Sequence, residues 1–126
     1  MKILKFIFYV SILILAIVSL YPGSLFGYIF YGDIRQEADL VDNPFGSSIN
    51  HFIYYLYVSL LGFYIYWNTE NIKKITYGLF FLSINLEVAQ LLIPIRSFEI
   101  IDLVANILGV IFAYSVVKIY LLFIKL

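Results

Sequence analysis

Eight side chains in this sequence have the types that proton transfer or anion recognition requires: His51, Tyr55, Glu87, Gln90, Arg96, Ser97, Asp102 and Asn106. An imidazole between carboxylates can serve as a general base, with one acid orienting the ring. His51 and Glu87 are the candidate bases, and Asp102 is the candidate orienting acid. Arg96 offers a fixed guanidinium that can stabilise a developing anion or pair bidentately with phosphate or carboxylate. No nucleophile stands out, since Ser83 and Ser97 are ordinary serines and the chain has no cysteine. His51, Glu87 and Asp102 could supply three metal ligands. They lie on separate segments without a His-x-x-x-His spacing, so neither a metal nor a cofactor is expected.

Most of these residues fall between Glu87 and Gly109, in a chain that is otherwise strongly apolar. Ionisable groups at bilayer depth cost a few kcal/mol or more, so those that are kept usually mark interior or functional faces. The apolar character is measurable. Of 126 residues, 63% are hydrophobic and 13% charged, with a mean hydropathy of +0.99. A soluble domain of this length leaves about a third of its chain surface exposed and could not hide so much apolar area. The fold class is therefore an all-α membrane protein. A formal net charge of +0 provides no field for nucleic acid, and the absence of cysteine excludes disulfides and thiolate chemistry.

The elements that must position the polar residues are four spans, at about 3–21, 49–67, 75–93 and 100–124. Each approaches the roughly twenty residues that cross a hydrocarbon core. The expected architecture is a four-helix transmembrane bundle forming a single membrane domain over 1–126, with an outer loop at 22–48. Lys2 and Lys5 ahead of an apolar run resemble a signal peptide. The exit Ser19-Leu20-Tyr21-Pro22 lacks a small-x-small cleavage site, so a retained first helix is expected. In the loop, Tyr28–Tyr31 is too short to span and should lie at the interface or tuck against the bundle. Asp33, Arg35, Glu37, Asp39 and Asp42 read as a solvated acidic stretch. Ser48 or Asn50 is available to cap the next helix, and Asn68–Lys74 reads as a polar connector. Lys2, Lys5, Lys73, Lys74, Lys118 and Lys125 share one side, opposed by Arg35 and Arg96. The bias toward positive cytoplasmic loops then places both termini in the cytoplasm.

On this layout the polar residues gather by depth. At 1.5 Å per helical residue, Glu87, Asn106 and Tyr55 each lie about 9 Å below the outer helix ends, and His51, Gln90 and Asp102 about 2–5 Å below. Arg96, Ser97 and Glu99 form a lid. Ser83, Glu87, Gln90 and Pro94 share one helix face, as do Asp102, Asn106, Gly109 and Ala113. Ala105, Gly109 and Ala113, spaced by four, make a small-residue seam that allows close helix approach, which is a packing feature. A purely structural network would stabilise helix association by about 0.6–2 kcal/mol per hydrogen bond. Two carboxylates, an imidazole and a guanidinium exceed what rigidity alone requires, and an outer-leaflet pocket is expected. The opposite halves of the spans hold little ionisable material, so no proton or ion path through the bundle is visible.

The pattern Glu87, Gln90, Pro94, Arg96, Ser97, Glu99, Asp102, Asn106 and Gly109, preceded by His51-Phe52, resembles the VanZ-like family of bacterial membrane proteins. The resemblance covers about 47–113. Members commonly carry Asp-Lys where this chain has Ser47-Ser48, which removes a charged partner from the lid. The resemblance implies a multi-pass protein of the bacterial plasma membrane, associated with resistance to glycopeptides of the teicoplanin type and acting at the cell envelope. Two functions follow as expectations. One is a pocket that binds or affects an amphiphile such as a lipid-linked wall precursor, a phospholipid or a lipoglycopeptide. The other is a membrane-embedded acid–base enzyme using His51, Glu87 and Asp102 on an envelope lipid or precursor. The expected partners are the lipid bilayer and that amphiphilic ligand, with no nucleic acid; oligomeric state is open.

Overall fold

The computed structural model describes residues 1–124, so Lys125, one of the lysines that set the expected orientation, lies outside the described residues. The chain is helical throughout: α1 (Lys2–Leu20), α2 (Leu25–Tyr31), α3 (Ser48–Tyr66), α4 (Ile72–Ala89) and α5 (Ile100–Ile124), with one 3-10 turn at Gln90–Leu92 extending α4. No strand occurs among the described residues.

α3 is the centre of the assembly. It packs most extensively against α5, with further contacts to α1 and α4. Along its length it buries Ser48, Tyr55, Val58, Ser59, Gly62, Phe63, Ile65 and Tyr66. The core grows from this helix, with Tyr55, Val58 and Phe63 meeting Phe8 and Leu15 of α1, Leu79 of α4, and Val110 and Ala113 of α5. The small-residue seam is where α5 approaches most closely. A Cβ on Gly109 would stand 2.8 Å from the Phe52 carbonyl oxygen and 2.9 Å from the Leu56 amide nitrogen.

The expectation of four apolar spans is corrected to three. Lys2–Leu20, Ile72–Leu92 and Ile100–Ile124 are long and apolar enough to cross a membrane, and α3 is not among them. The reason is its position. A helix packed against three others faces mostly protein, so Asn50, His51 and its serines can stay away from hydrocarbon, while Tyr57 and Tyr64 remain exposed.

Two local expectations also change, while the acidic stretch is exposed as expected at Asp33, Arg35, Glu37, Asp39 and Asp42. The loop ahead of it carries α2, a short helix with Ser24 at its N-cap accepting from the Gly27 amide. Gly27 permits the loop to return closely, because a Cβ there would lie 1.6 Å from the Gln36 carbonyl oxygen. The polar connector after α3 is shorter than expected. α4 begins at Ile72, whose amide bonds to the Thr69 carbonyl, and Lys73 and Lys74 sit in its first turn. Lysine is a good helix former, and its stem can lie along apolar surface while the ammonium reaches outward. Finally, Ser48 and Asn50 do not cap α3. Their side chains bind Asp102 and the loop backbone instead, and the N-cap position is Ser47, whose side chain makes no capping bond.

The bundle has two distinct ends. Lys5 lies 5.5 Å from the Tyr66 ring centroid, so the start of α1 meets the end of α3. At the other end, the Pro94 turn meets the end of α1 and the start of α3.

Candidate functional site

At the end formed by the starts of α3 and α5 and the close of α4, four polar residues come into direct contact. His51 enters from the first turn of α3, Glu87 from the last turn of α4, and Asp102 and Asn106 from successive turns of α5. Glu87 and Asn106 are each 1% exposed, and Asp102 is 5% exposed. The Asn106 amide nitrogen donates to the Ser83 carbonyl at 3.2 Å and to Glu87 Oε2 at 3.3 Å. Both partners are acceptors, so the orientation of the amide is fixed and its oxygen faces His51 Nδ1 at 3.1 Å.

This geometry settles the proton on the ring. Asn106 Oδ1 can only accept, so Nδ1 carries a hydrogen; Glu87 Oε2 lies 3.6 Å from the same nitrogen. Nε2 faces Asp102 Oδ2 at 3.5 Å. Ser48 Oγ donates to the other oxygen of Asp102. The result is an imidazole flanked by two carboxylates, with an amide donor on Glu87 Oε2 and a hydroxyl donor on Asp102 Oδ1. Such an arrangement can shuttle a proton or hold a compact positive charge.

Beside it lies a hollow of about 60 Å³, lined by Leu15, Ser24, Glu37, His51, Gln90 and Arg96 among others. Roughly 10–15 Å³ of such space admits one water, so several fit. His51 is the member of the cluster that lines the hollow, and its side chain is 20% exposed. Apolar rings from Phe26 and Tyr54, stacked at 6.0 Å, form part of the wall.

Arg96 is set by an unusual turn. The Arg96 amide bonds to the Ile93 carbonyl, Pro94 occupies the second position, and Ile95 takes φ 64°. That left-handed conformation is strained for a β-branched residue, and strain of this kind persists only where the surroundings hold it. The guanidinium then donates to the Val18 carbonyl at 2.7 Å and the Tyr21 carbonyl at 3.2 Å. Gln90 donates to the Ser19 carbonyl at 3.2 Å. Together they satisfy the orphan carbonyls at the end of α1, where a cation also complements the helix dipole. Burial draws the Arg96 guanidinium below its ordinary pKa, while the charges of Glu37, Glu87 and Asp102 oppose that drop.

Of the residues singled out from the sequence, His51, Glu87, Asp102 and Asn106 form one cluster joined by hydrogen bonds and close imidazole–carboxylate approaches. Tyr55, Gln90 and Arg96 line the hollow, although Tyr55 spends its hydroxyl on the Leu82 carbonyl at 3.1 Å. Ser97 is not brought in. It sits exposed on the turn and reaches only Glu99 Oε1 at 3.5 Å. Gly109 and Ala113 are in the α3–α5 seam; Ala105 lines an apolar groove beside it. Ser48 and Glu37 join the site without having been among the candidates. Ser48 is one turn before His51 and so on its face, a signal present in the spacing. Glu37 has no such signal, since a long loop determines its place. No group of His, Asp and Glu suited to hold a metal occurs among the described residues.

The VanZ/LLP1 family model matches residues 6–123. The chain belongs to the VanZ/LLP1 family. The match extends beyond the 47–113 stretch of resemblance and takes in α1 and the loop, both of which line the hollow. No curated protein and no solved structure matches the chain at a significant level. Family membership and three long apolar helices support a VanZ-like membrane protein. At position 48, where the resemblance leads one to expect lysine, this VanZ/LLP1 chain keeps a hydroxyl donor to Asp102.

Proposed function

We infer that this protein is a multi-pass bacterial plasma-membrane protein whose hollow binds the anionic head group of an envelope amphiphile at the outer leaflet. On this reading α3 crosses with the three apolar helices, shielded by them, and both termini are cytoplasmic. The lysine bias favours that orientation, because Lys2, Lys5, Lys73, Lys74 and Lys118 belong to the end away from the hollow. The observation that carries the proposal is the hollow itself, which joins His51 and Arg96 to apolar walls from Leu15, Val18 and Phe26. A guanidinium beside an imidazole, with an apolar flank, matches a phosphate or carboxylate attached to a hydrocarbon tail. Lipid-linked wall precursors, phospholipids and lipoglycopeptides share that chemistry, and a role in glycopeptide resistance follows from the family resemblance.

The test is teicoplanin susceptibility of bacteria carrying an empty vector, the wild-type chain, His51→Gln or Glu37→Gln. Raised resistance with the wild type, lost in His51→Gln and kept or increased in Glu37→Gln, which removes a negative charge from the hollow, is the expected result. Identical susceptibility in all four strains would refute the proposal. Arg96 is less suitable as a probe because it also holds the end of α1.

A second reading, acid–base catalysis on an envelope lipid or precursor, is favoured by His51 Nε2 facing Asp102 Oδ2 at 3.5 Å beside the hollow. Mass analysis of envelope lipids and wall precursors from the same strains distinguishes the two. A product that disappears with His51→Gln marks an enzyme, and unchanged profiles with altered resistance mark a binding protein.

A further inference from the structure

At the end opposite the hollow, α4 and α5 part to leave a groove of about 540 Å³, within the usual 300–1,000 Å³ of ligand pockets. Its walls include Phe80, Ile111, Thr76, Tyr114, Trp67 and Lys73; by position along their helices, Phe80 and Ile111 lie nearest the middle of the bundle and Trp67 and Lys73 nearest its lysine end. The two helices run antiparallel, with Asn106 beside Ser83. From that contact Lys118 lies about 18 Å along α5 and Lys73 about 15 Å along α4, so the two ammonium groups stand near one level. Lys118 follows Tyr114 by one helical turn and therefore shares its face. Lys2, Lys5 and Lys74 belong to the same end, which has Glu70 as its acid.

We propose that this groove is a binding site for an anionic phospholipid of the leaflet at the lysine end. The acyl chains lie along Phe80, Ile111 and Tyr114, and the phosphate sits between Lys73 and Lys118. Three features select this occupant. The floor is apolar and aromatic, as a hydrocarbon chain requires. Lys73, and by helix register Lys118, border the rim where a head group would sit, and long lysine stems reach the interface readily. The net positive charge of this end disfavours a second copy of the same surface. The site is independent of the hollow: no residue lines both.

The test uses the full chain in nanodiscs or mild detergent, with retention of phosphatidylglycerol and phosphatidylcholine of matched acyl chains read by native mass spectrometry. Phosphatidylglycerol should be retained up to about 30-fold better, equivalent to about 2 kcal/mol at about 1 kcal/mol per lysine. Lys73→Gln/Lys118→Gln should abolish that preference, whereas Lys2→Gln/Lys74→Gln, which keeps the same total charge, should preserve most of it. Equal retention of the two lipids by the wild type would overturn the proposal. So would equal loss in both double variants, since that would mean bulk attraction rather than a site. The chain has no cysteine, so Tyr77→Cys places a single thiol at the groove. Rapid disulfide-linked dimer formation by this variant in nanodiscs would show a second copy seated there and would also overturn the proposal. A monomeric result together with phosphatidylglycerol preference supports it.

Discussion

Gly109→Ala tests whether the candidate cluster depends on the closeness of α3 and α5. The added methyl would stand 2.8 Å from the Phe52 carbonyl oxygen, 2.9 Å from the Leu56 nitrogen and 2.9 Å from Tyr55 Cβ. Two of these are backbone atoms of a helix that cannot turn aside as a side-chain tip would. Ordinary contact begins near 3.4 Å, so the helices must separate by about 0.5 Å. A gap of that size forfeits roughly a quarter of the dispersion well for each contact along the seam. Overpacking of this kind destabilises by about 1–3 kcal/mol, against about 0.5–1 kcal/mol gained by replacing glycine with alanine in a helix. The net loss expected is about 1–2 kcal/mol. Asn106 lies one turn from Gly109, so the same separation stretches its 3.1 Å contact with His51 toward the limit of hydrogen bonding. Thermal unfolding in detergent, paired with histidine NMR of the ring nitrogens, gives both readouts. An unchanged or higher melting temperature with an unaltered His51 signal would refute the argument, because it would mean the helices do not meet as closely as Gly109 requires.

Asn106→Leu removes the donor to Ser83 and Glu87 and the acceptor for His51, and it should destabilise the protein by about 1–3 kcal/mol in the same unfolding assay. His51 should lose its fixed tautomer, visible in the ring nitrogen shifts. Arg96→Gln should release the end of α1, raising amide exchange near 18–24 and destabilising by about 1.5–3 kcal/mol; Arg96→Lys should restore only part of this, since one ammonium cannot reproduce the planar fork. Gly27→Ala should force the loop away from α2, because its methyl would overlap the Gln36 carbonyl. Faster exchange across 33–40 with the α3–α5 core unchanged is the expected pattern.

Much of the candidate site is legible in the amino-acid sequence. Glu87, Asp102 and Asn106 occur in helices where charge is expensive, and the 3.6-residue period places them on faces that must turn inward. Depth arithmetic brings Glu87 level with Asn106, and the two are hydrogen bonded. Gly109 and Ala113 mark the seam for the same reason, since small residues at spacing four define one line on a helix. All of this follows from local geometry. The roles of Arg96 and Gln90 do not, because their partners are carbonyls near the end of α1, more than seventy residues earlier. Backbone acceptors carry no side-chain identity, so nothing in their sequence advertises them. Glu37 reaches the hollow through a loop whose path depends on Gly27 and on the bonds of Asn50 to Ala38 and Leu40. The central place of α3 is hidden in the same way. Its tyrosines, serines, Asn50 and His51 lower its apolarity, and only the three helices around it show why that is tolerated. Composition and period thus determined which residues had to avoid lipid; the packing of distant segments decided which partners they found there.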